Sequence, residues 1–184
     1  VWGVGTRLAT AYDQPALGGV YKLSAIRRPG ESEWTDRIKL SEQAIKISIP
    51  GILQARRFFA DDGEPIGDVI YDERIGADGS VVMVDPMDMT RRKRIPRGAR
   101  SVDLLEPVFR AGQRALEELP DAHQARGRTF AQLEPFHAGI KRFVNPHQYP
   151  VGLERALFER KMELVLRARG FTDEASDDTH GESE

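Results

Sequence analysis

Near the start of the chain, Gly3, Val4, Gly5 and Thr6 place two residues without a Cβ beside a hydroxyl. Glycine accepts positive φ and lets the backbone pass close to a ligand, so the amides of such a loop can face an oxyanion. The run Arg7-Leu8-Ala9-Thr10-Ala11 suits a short helix whose first N–H groups would point back at the loop. A helix start contributes about 0.3 to 1 kcal/mol per exposed anion, and the glycine amides add direct hydrogen bonds. The chemistry such a loop would do is phosphate binding. A short glycine pair is also ordinary turn material, and the tetrapeptide by itself is compatible with either. Arg7 can offer a phosphate its forked pair of donors or point to solvent, while Tyr12 and Asp13 follow closely enough to orient the loop. Such a loop works when a strand holds its entry, and only Val1 and Trp2 precede it, with no initiator Met. The expectation is therefore the C-terminal piece of a longer protein.

Other chemistry-bearing residues are weaker candidates. Of the four histidines, His123 falls on a polar helix face, His180 lies in an acidic tail, and His137 has no second donor at the i+4 spacing that pairs metal ligands on a helix. His147, in Asn145-Pro146-His147, reads as a local hydrogen-bonding residue fixing a turn before the last helix. Lys39-Leu40-Ser41-Glu42 reads as an exposed strand end, with ligand or subunit contact as the alternative. No Ser-His-Asp set, paired carboxylates or cofactor fingerprint stands out, so no catalytic and no metal-ligating residue is assigned.

The chain has 184 residues, 40% hydrophobic and 30% charged, which fits one domain or one and a half and is enough to bury a core. No apolar run approaches the roughly 20 residues of a membrane-spanning helix. The absence of cysteine excludes disulfides and thiolate metal sites, and is compatible with a cytoplasmic location. A net charge of −2 gives no reason to expect nucleic acid. The basic cluster of Arg91, Arg92, Lys93, Arg94, Arg97 and Arg100 reads as a solvated strand edge or loop, with phosphate steering or subunit contact as the alternative.

Behind the loop, the elements are mostly short strands. Residues 20–26, 37–40 and 44–49 alternate in strand fashion. Residues 54–60 and 67–72, joined by Asp61-Asp62-Gly63-Glu64-Pro65, form the clearest hairpin. Residues 80–85 form a strand that Pro86 stops, and Pro107 argues against a helix over 104–110. Ala111-Gly112-Gln113 turns the chain into a partner strand near 115–118. Helices follow at about 121–133, from Pro135 for a turn, and from Leu153 to Arg169, closed by Gly170. In the last of these, Leu153, Leu157, Met162, Val165 and Leu166 are assigned to the core, and Glu154, Arg155, Lys161, Glu163 and Arg167 to water.

Several ordered blocks carry a family resemblance. Residues 3–13, Pro15-Ala16-Leu17-Gly18-Gly19-Val20-Tyr21-Lys22-Leu23, Arg37-Ile38-Lys39-Leu40-Ser41-Glu42, Ile49-Pro50-Gly51 and residues 145–153 together resemble the nicotinate phosphoribosyltransferases. The resemblance implies an α+β chain: the closing loop and helix of a type II phosphoribosyltransferase α/β barrel, then an antiparallel β unit and C-terminal helices. It divides the chain into 1–19 as the barrel end with the phosphate loop, 20–119 as the β unit, 120–170 as the helical segment and 171–184 as an acidic disordered tail. It implies transfer of the phosphoribosyl group of 5-phosphoribosyl 1-pyrophosphate to nicotinate, coupled to ATP hydrolysis with Mg2+, in a cytoplasmic homodimer. Gly3, Val4, Gly5 and Thr6 would hold the substrate phosphate, with Arg7, Tyr12, Asp13 and Lys39 in support. The histidine that ATP phosphorylates in this family matches none of the four here, so no catalytic residue falls within the chain and the 184 residues alone are expected to be inactive. Nicotinamide or quinolinate phosphoribosyltransferase, and a non-catalytic β-rich assembly module, are the alternatives.

Overall fold

A computed structural model of the chain describes Gly5 and residues 20–171. Its core is laid down by the hairpin of β3 (Leu53–Phe59) and β4 (Pro65–Asp72), antiparallel from Leu53 opposite Asp72 to Phe59 opposite Pro65. The turn closes through Ala60 N–H to the Glu64 carbonyl (2.9 Å) and Glu64 N–H to Asp62 Oδ1 (2.9 Å), the short-polar-residue chemistry that its sequence predicts. Around it a six-stranded sheet runs in the order β6-β5-β10-β4-β3-β7, adding β5 (Val82–Val84), β6 (Arg92–Arg94), β7 (Ser101–Asp103) and β10 (Val151–Glu154). β6 is an edge on which Arg92 and Arg94 are exposed, so the basic cluster does supply a solvated strand edge.

Alternation along β4 sends side chains to two faces. Val69 and Tyr71 join Phe58, Ala77, Val81, Met83 and Ile95 on one side. Ile70 packs on the other with Val84, Leu153, Leu157 and Phe158, where helix α2 (Arg155–Ala168) covers the sheet. Sequence patterning places Leu153 at the start of this helix, whereas the structure puts it in β10. That strand lies between β4, to which it is parallel, and β5, to which it is antiparallel, so the sheet is mixed. Its four residues are too few to show a strand period, and only the gap between β4 and β5 makes them one. The helix starts directly after it, with the Glu154 carboxylate accepting from Ala156 N–H at 2.6 Å.

Other expectations fail for the same reason. Of residues 20–26, only β1 (Ala25–Ile26) pairs, with β2 (Thr35–Asp36), leaving Val20, Tyr21 and Leu23 exposed. Residues 37–40 pair with no strand, and the alternating residues 44–49 contain a 3-10 turn at Ala44–Lys46 with Ile45 72% exposed. Alternation makes a strand only where a neighbour offers its N–H and C=O groups. The partner strand expected near 115–118 is instead β9 (Gln113–Arg114), pairing with β8 (Phe109–Arg110). Helix α1 (Ala122–Leu133) forms as its sequence predicts, with Asp121 and Gln124 bonding reciprocally at its start, yet it buries no residue. Pro135 opens only turns. Among the described residues no helix is long and apolar enough to cross a membrane.

Gly152 is the tightest point of the sheet. A Cβ there would sit 2.5 Å from Met83 Cγ and 2.6 Å from the Val84 carbonyl oxygen. Gly152→Ala is expected to destabilise the chain by about 1 to 3 kcal/mol through forced displacement of β5, read as a lower urea midpoint. An unchanged midpoint would show that β10 is not wedged as described.

Candidate functional site

Of the residues that sequence assigns to phosphate binding, only Gly5 is described, and it is exposed. Gly3, Val4, Thr6, Arg7, Tyr12 and Asp13 lie outside the described residues. What the structure does show is how the chain that follows them is fastened. Lys39 is held through its backbone: its N–H donates to Ser48 Oγ (2.7 Å) and its carbonyl accepts from Ser48 N–H (3.1 Å). Ser48 is buried and the Lys39 side chain is exposed. Lys39 is thus strapped down by its main chain, though not as the strand end expected from sequence, since residues 37–40 pair with no strand.

The same segment is locked to the sheet by charge. At the end of β4, the Asp72 carboxylate is 3% exposed and bonds the Arg74 guanidinium, whose Nε lies 2.9 Å from Oδ1. Arg74 Nη2 reaches Asp36 Oδ1 in β2 (2.5 Å), and Asp36 Oδ2 accepts from Arg160 Nε of α2 (3.1 Å). Three elements far apart in sequence therefore meet on two buried carboxylates, Asp72 held by the fork of Arg74 and Asp36 by one donor each from Arg74 and Arg160. Burial by itself would raise the Asp72 carboxyl. The Arg74 side chain and the N–H groups of Arg74 and Ile52 outweigh it and hold the carboxyl below its ordinary 3.8. Gly51, at φ +105°, completes the corner: a Cβ would meet Asp72 Oδ2 at 2.3 Å, while its N–H donates to the Ser24 carbonyl at 3.0 Å.

A second polar centre surrounds the 145–150 block. The Tyr149 hydroxyl donates to Asp68 Oδ1 (2.8 Å), and Arg57 grips both Asp68 oxygens at 2.9 and 2.8 Å. Burial first, and then the hydrogen bond to Asp68 and its charge, push the Tyr149 phenol well above its usual range, so it stays a donor. His147 N–H donates to the Gly139 carbonyl (2.8 Å), and its ring stacks on His137 with centroids 5.9 Å apart. The expected local role of His147 is therefore what the geometry gives. Beside this centre lies a cavity of about 400 Å³ bordered by Met83, Asp85, Arg91, Lys93, Gln148 and Tyr149. Its cations are already engaged, Lys93 Nζ with the Ile66 carbonyl (2.5 Å) and Arg91 with Gln148 Oε1 (3.3 Å). Among the described residues no group of three or more His, Cys, Asp or Glu side chains is gathered to hold a metal ion.

Sequence patterning mistakes one residue in this region. Lys161 is assigned to water, yet it lies on the buried stripe of α2 and is 7% exposed. The four-residue step from Leu157 to Lys161 to Val165 is the signal that places it there.

A mixed α+β sheet backed by one helix describes a class of domain, and comparison with known proteins narrows it. Residues 53–161 match the family model described as the nicotinate phosphoribosyltransferase C-terminal domain. The chain belongs to the nicotinate phosphoribosyltransferase family. It is 32% identical over 177 residues to the nicotinate phosphoribosyltransferase of Bacillus subtilis, covering 95% of this chain and 35% of that protein. It is 33% identical over 159 residues to that of Homo sapiens, covering 85% of this chain and 28% of the relative. The chain thus spans about a third of the length of the curated relatives it matches. The crystal structure of human nicotinic acid phosphoribosyltransferase superposes with a TM-score of 0.51 at 23% identity, over 67% of this chain and 24% of that one, a likeness of fold.

The Asp72 pairing has a pH signature. Its carboxyl is depressed in the folded state, so the stabilisation is complete above the unfolded value of about 4 and is lost as pH falls through the folded one. Asp72→Asn is expected to cost about 1 to 3 kcal/mol at neutral pH. The gap from the native chain should shrink between about pH 5 and pH 2 in urea titrations. A gap that stays constant over that range would mean that Asp72 carries no charge-dependent stabilisation.

Proposed function

We propose that this chain is part of an enzyme that transfers the phosphoribosyl group of 5-phosphoribosyl 1-pyrophosphate to nicotinate, giving nicotinate mononucleotide and pyrophosphate in the salvage of nicotinate for NAD. The observation that carries this reading is the match of residues 53–161 to the family's C-terminal domain, extended by 32% identity over 95% of the chain to the Bacillus subtilis enzyme. In this reading residues 1–19 close the catalytic α/β barrel, where a phosphate site built from the last loops and a short helix is a recurrent arrangement. The amides of Gly3, Val4 and Gly5 and the Thr6 hydroxyl hold the 5-phosphate, assisted by Arg7, and Tyr12 and Asp13 orient the loop.

The described residues serve this chemistry by positioning. Segment 20–50 is folded on itself through Ser48 and Lys39, bonds Gly51 through the Ser24 carbonyl, and is tied to the end of β4 and to α2 by the Asp36 carboxylate, which takes Arg74 and Arg160. A loop whose C-terminal side is anchored in this way spends less entropy in gripping a ligand. ATP and Mg2+ belong to the same reading: hydrolysis of ATP drives the transfer, and Mg2+ accompanies the phosphate groups. The described residues gather no carboxylate set for Mg2+, and no step is assigned to it here. The enzyme acts as a homodimer in the cytoplasm.

In an intact enzyme carrying this chain, Gly5→Val is expected to raise the KM for 5-phosphoribosyl 1-pyrophosphate or lower kcat by roughly 10-fold to 100-fold, because a misplaced phosphate misplaces the reacting carbon. Unchanged steady-state kinetics would remove the loop from the mechanism. The purified 184 residues are expected to show no turnover of nicotinate in a product assay, and measurable turnover would contradict the division of labour proposed here.

A further inference from the structure

The cavity beside the Tyr149 centre is bordered by three consecutive cations, Arg91, Arg92 and Lys93, and by one carboxylate, Asp85. The arginines that hold elements of the fold together each meet a carboxylate at hydrogen-bond distance: Arg56 with Asp103 at 2.7 Å, Arg57 with Asp68 at 2.8 Å and Arg160 with Asp36 at 3.1 Å. Around the cavity the bonds go to neutral oxygens instead. Lys93 Nζ donates to the Ile66 carbonyl, Arg92 Nε to the Met89 carbonyl (3.0 Å) and Arg91 Nη2 to Gln148 Oε1 (3.3 Å). The Asp85 carboxylate lies 3.7 Å from Arg91, and its Oδ1 accepts from the N–H groups of Met87 and Asp88. Among the described residues, the positive charge on this wall is therefore hydrogen-bonded without being neutralised. A neutral acceptor satisfies one N–H and leaves the other donors of each cation, and its charge, for an anion.

Charge and shape together name the ligand. Three cations and one carboxylate leave an excess of two positive charges on the wall. A phosphomonoester carries about −1.5 to −2 at neutral pH and matches that excess, whereas a carboxylate would leave half of it. The rest of the cavity is not built for a bare ion: Met83, Pro150 and Val151 give it an apolar side, and about 400 Å³ is room for a small organic molecule. Across Gln148, Tyr149 and Pro150 it adjoins a second hollow of about 240 Å³, which shares Lys93 and is bordered by Ile140 and by the stacked rings of His137 and His147. Gln148 borders both hollows, and its amide NH2 bonds no described residue. We propose that these adjoining hollows bind a nucleoside monophosphate. Its phosphate meets Arg91 and Lys93, and its ring lies over the divide toward the two histidines, where the Gln148 amide can bond the ring edge. The basic cluster thereby gains a role beyond that of a solvated strand edge. The inference rests on the cavity and its charges, not on the loop of residues 3–6.

The test is calorimetric titration of the purified 184-residue chain with adenosine monophosphate, adenosine and inorganic phosphate, in the native form and as Lys93→Met, Arg91→Gln, Arg94→Gln and Gly5→Val. The native chain is expected to bind adenosine monophosphate at least about 10-fold more tightly than adenosine or phosphate, because only the first engages both the cations and the ring surface. Lys93→Met and Arg91→Gln should each weaken it by about 10-fold or more, the usual cost of losing a charged donor. Arg94→Gln, on the same strand but not bordering the cavity, should bind as the native chain does. An equal loss in Arg94→Gln would reduce the binding to the diffuse charge of the strand edge and overturn the proposal. A loss in Gly5→Val with none in Lys93→Met would assign the nucleotide to the N-terminal loop and overturn it too, while supporting the loop's own role. Binding of adenosine monophosphate no tighter than that of phosphate or of adenosine, or no heat at millimolar concentration, would refute the site. Should Lys93→Met fail to fold, Arg91→Gln, whose side chain is 59% exposed, decides by the same comparison.

Discussion

The insertion of β10 between β4 and β5 is the constraint on which the other features rest. A strand can enter there only if its backbone comes within contact distance of Met83 and the Val84 carbonyl, which Gly152 permits and a residue with a Cβ does not. The pairing of Val151 with Asp68 spans more than eighty residues, so its loop-closure cost must be met by what it brings with it. It brings α2. The helix starts at the residue after β10, covers Val84 and Leu153, and carries Arg160 to Asp36.

Electrostatics then decide how rigid that arrangement is. Asp36 and Asp72 are buried carboxylates, and in a low-dielectric setting each is tolerable only with its donors in place. Arg74 serves both, and Arg160 adds a third element to the group. The net gain over an apolar core need not be large. Its consequence is specificity of arrangement, because any sliding of β2, β4 or α2 leaves a charge unpaired. The segment that follows residue 20 is held by this arrangement through Asp36, and under the proposed function that is how a domain with no assigned catalytic residue bears on the reaction.

Away from this centre, local and global order part company. α1 is capped at Asp121 in full agreement with its sequence, and still buries nothing. A reciprocal cap needs only residues three positions apart, whereas burial needs a partner surface. The hairpin of β8 and β9 is similar, with Phe109 exposed despite its strand geometry. Residues 44–49 show the converse: an alternating run that pairs with no strand opens in a 3-10 turn at Ala44–Lys46.

The sequence by itself determined the β3–β4 hairpin, the α1 start, the disfavoured helix around Pro107 and the family, because turns, caps and ordered motifs are written in residues close together along the chain. It also marked the 145–153 block and the structural part played by His147. Only the tertiary structure decided that residues 151–154 form a central parallel strand, that Arg74 joins two carboxylates from different elements, and that Lys161 is enclosed rather than solvated. Each of these depends on a neighbour supplied from dozens of residues away, and periodicity within a segment carries no information about which surface will come to face it.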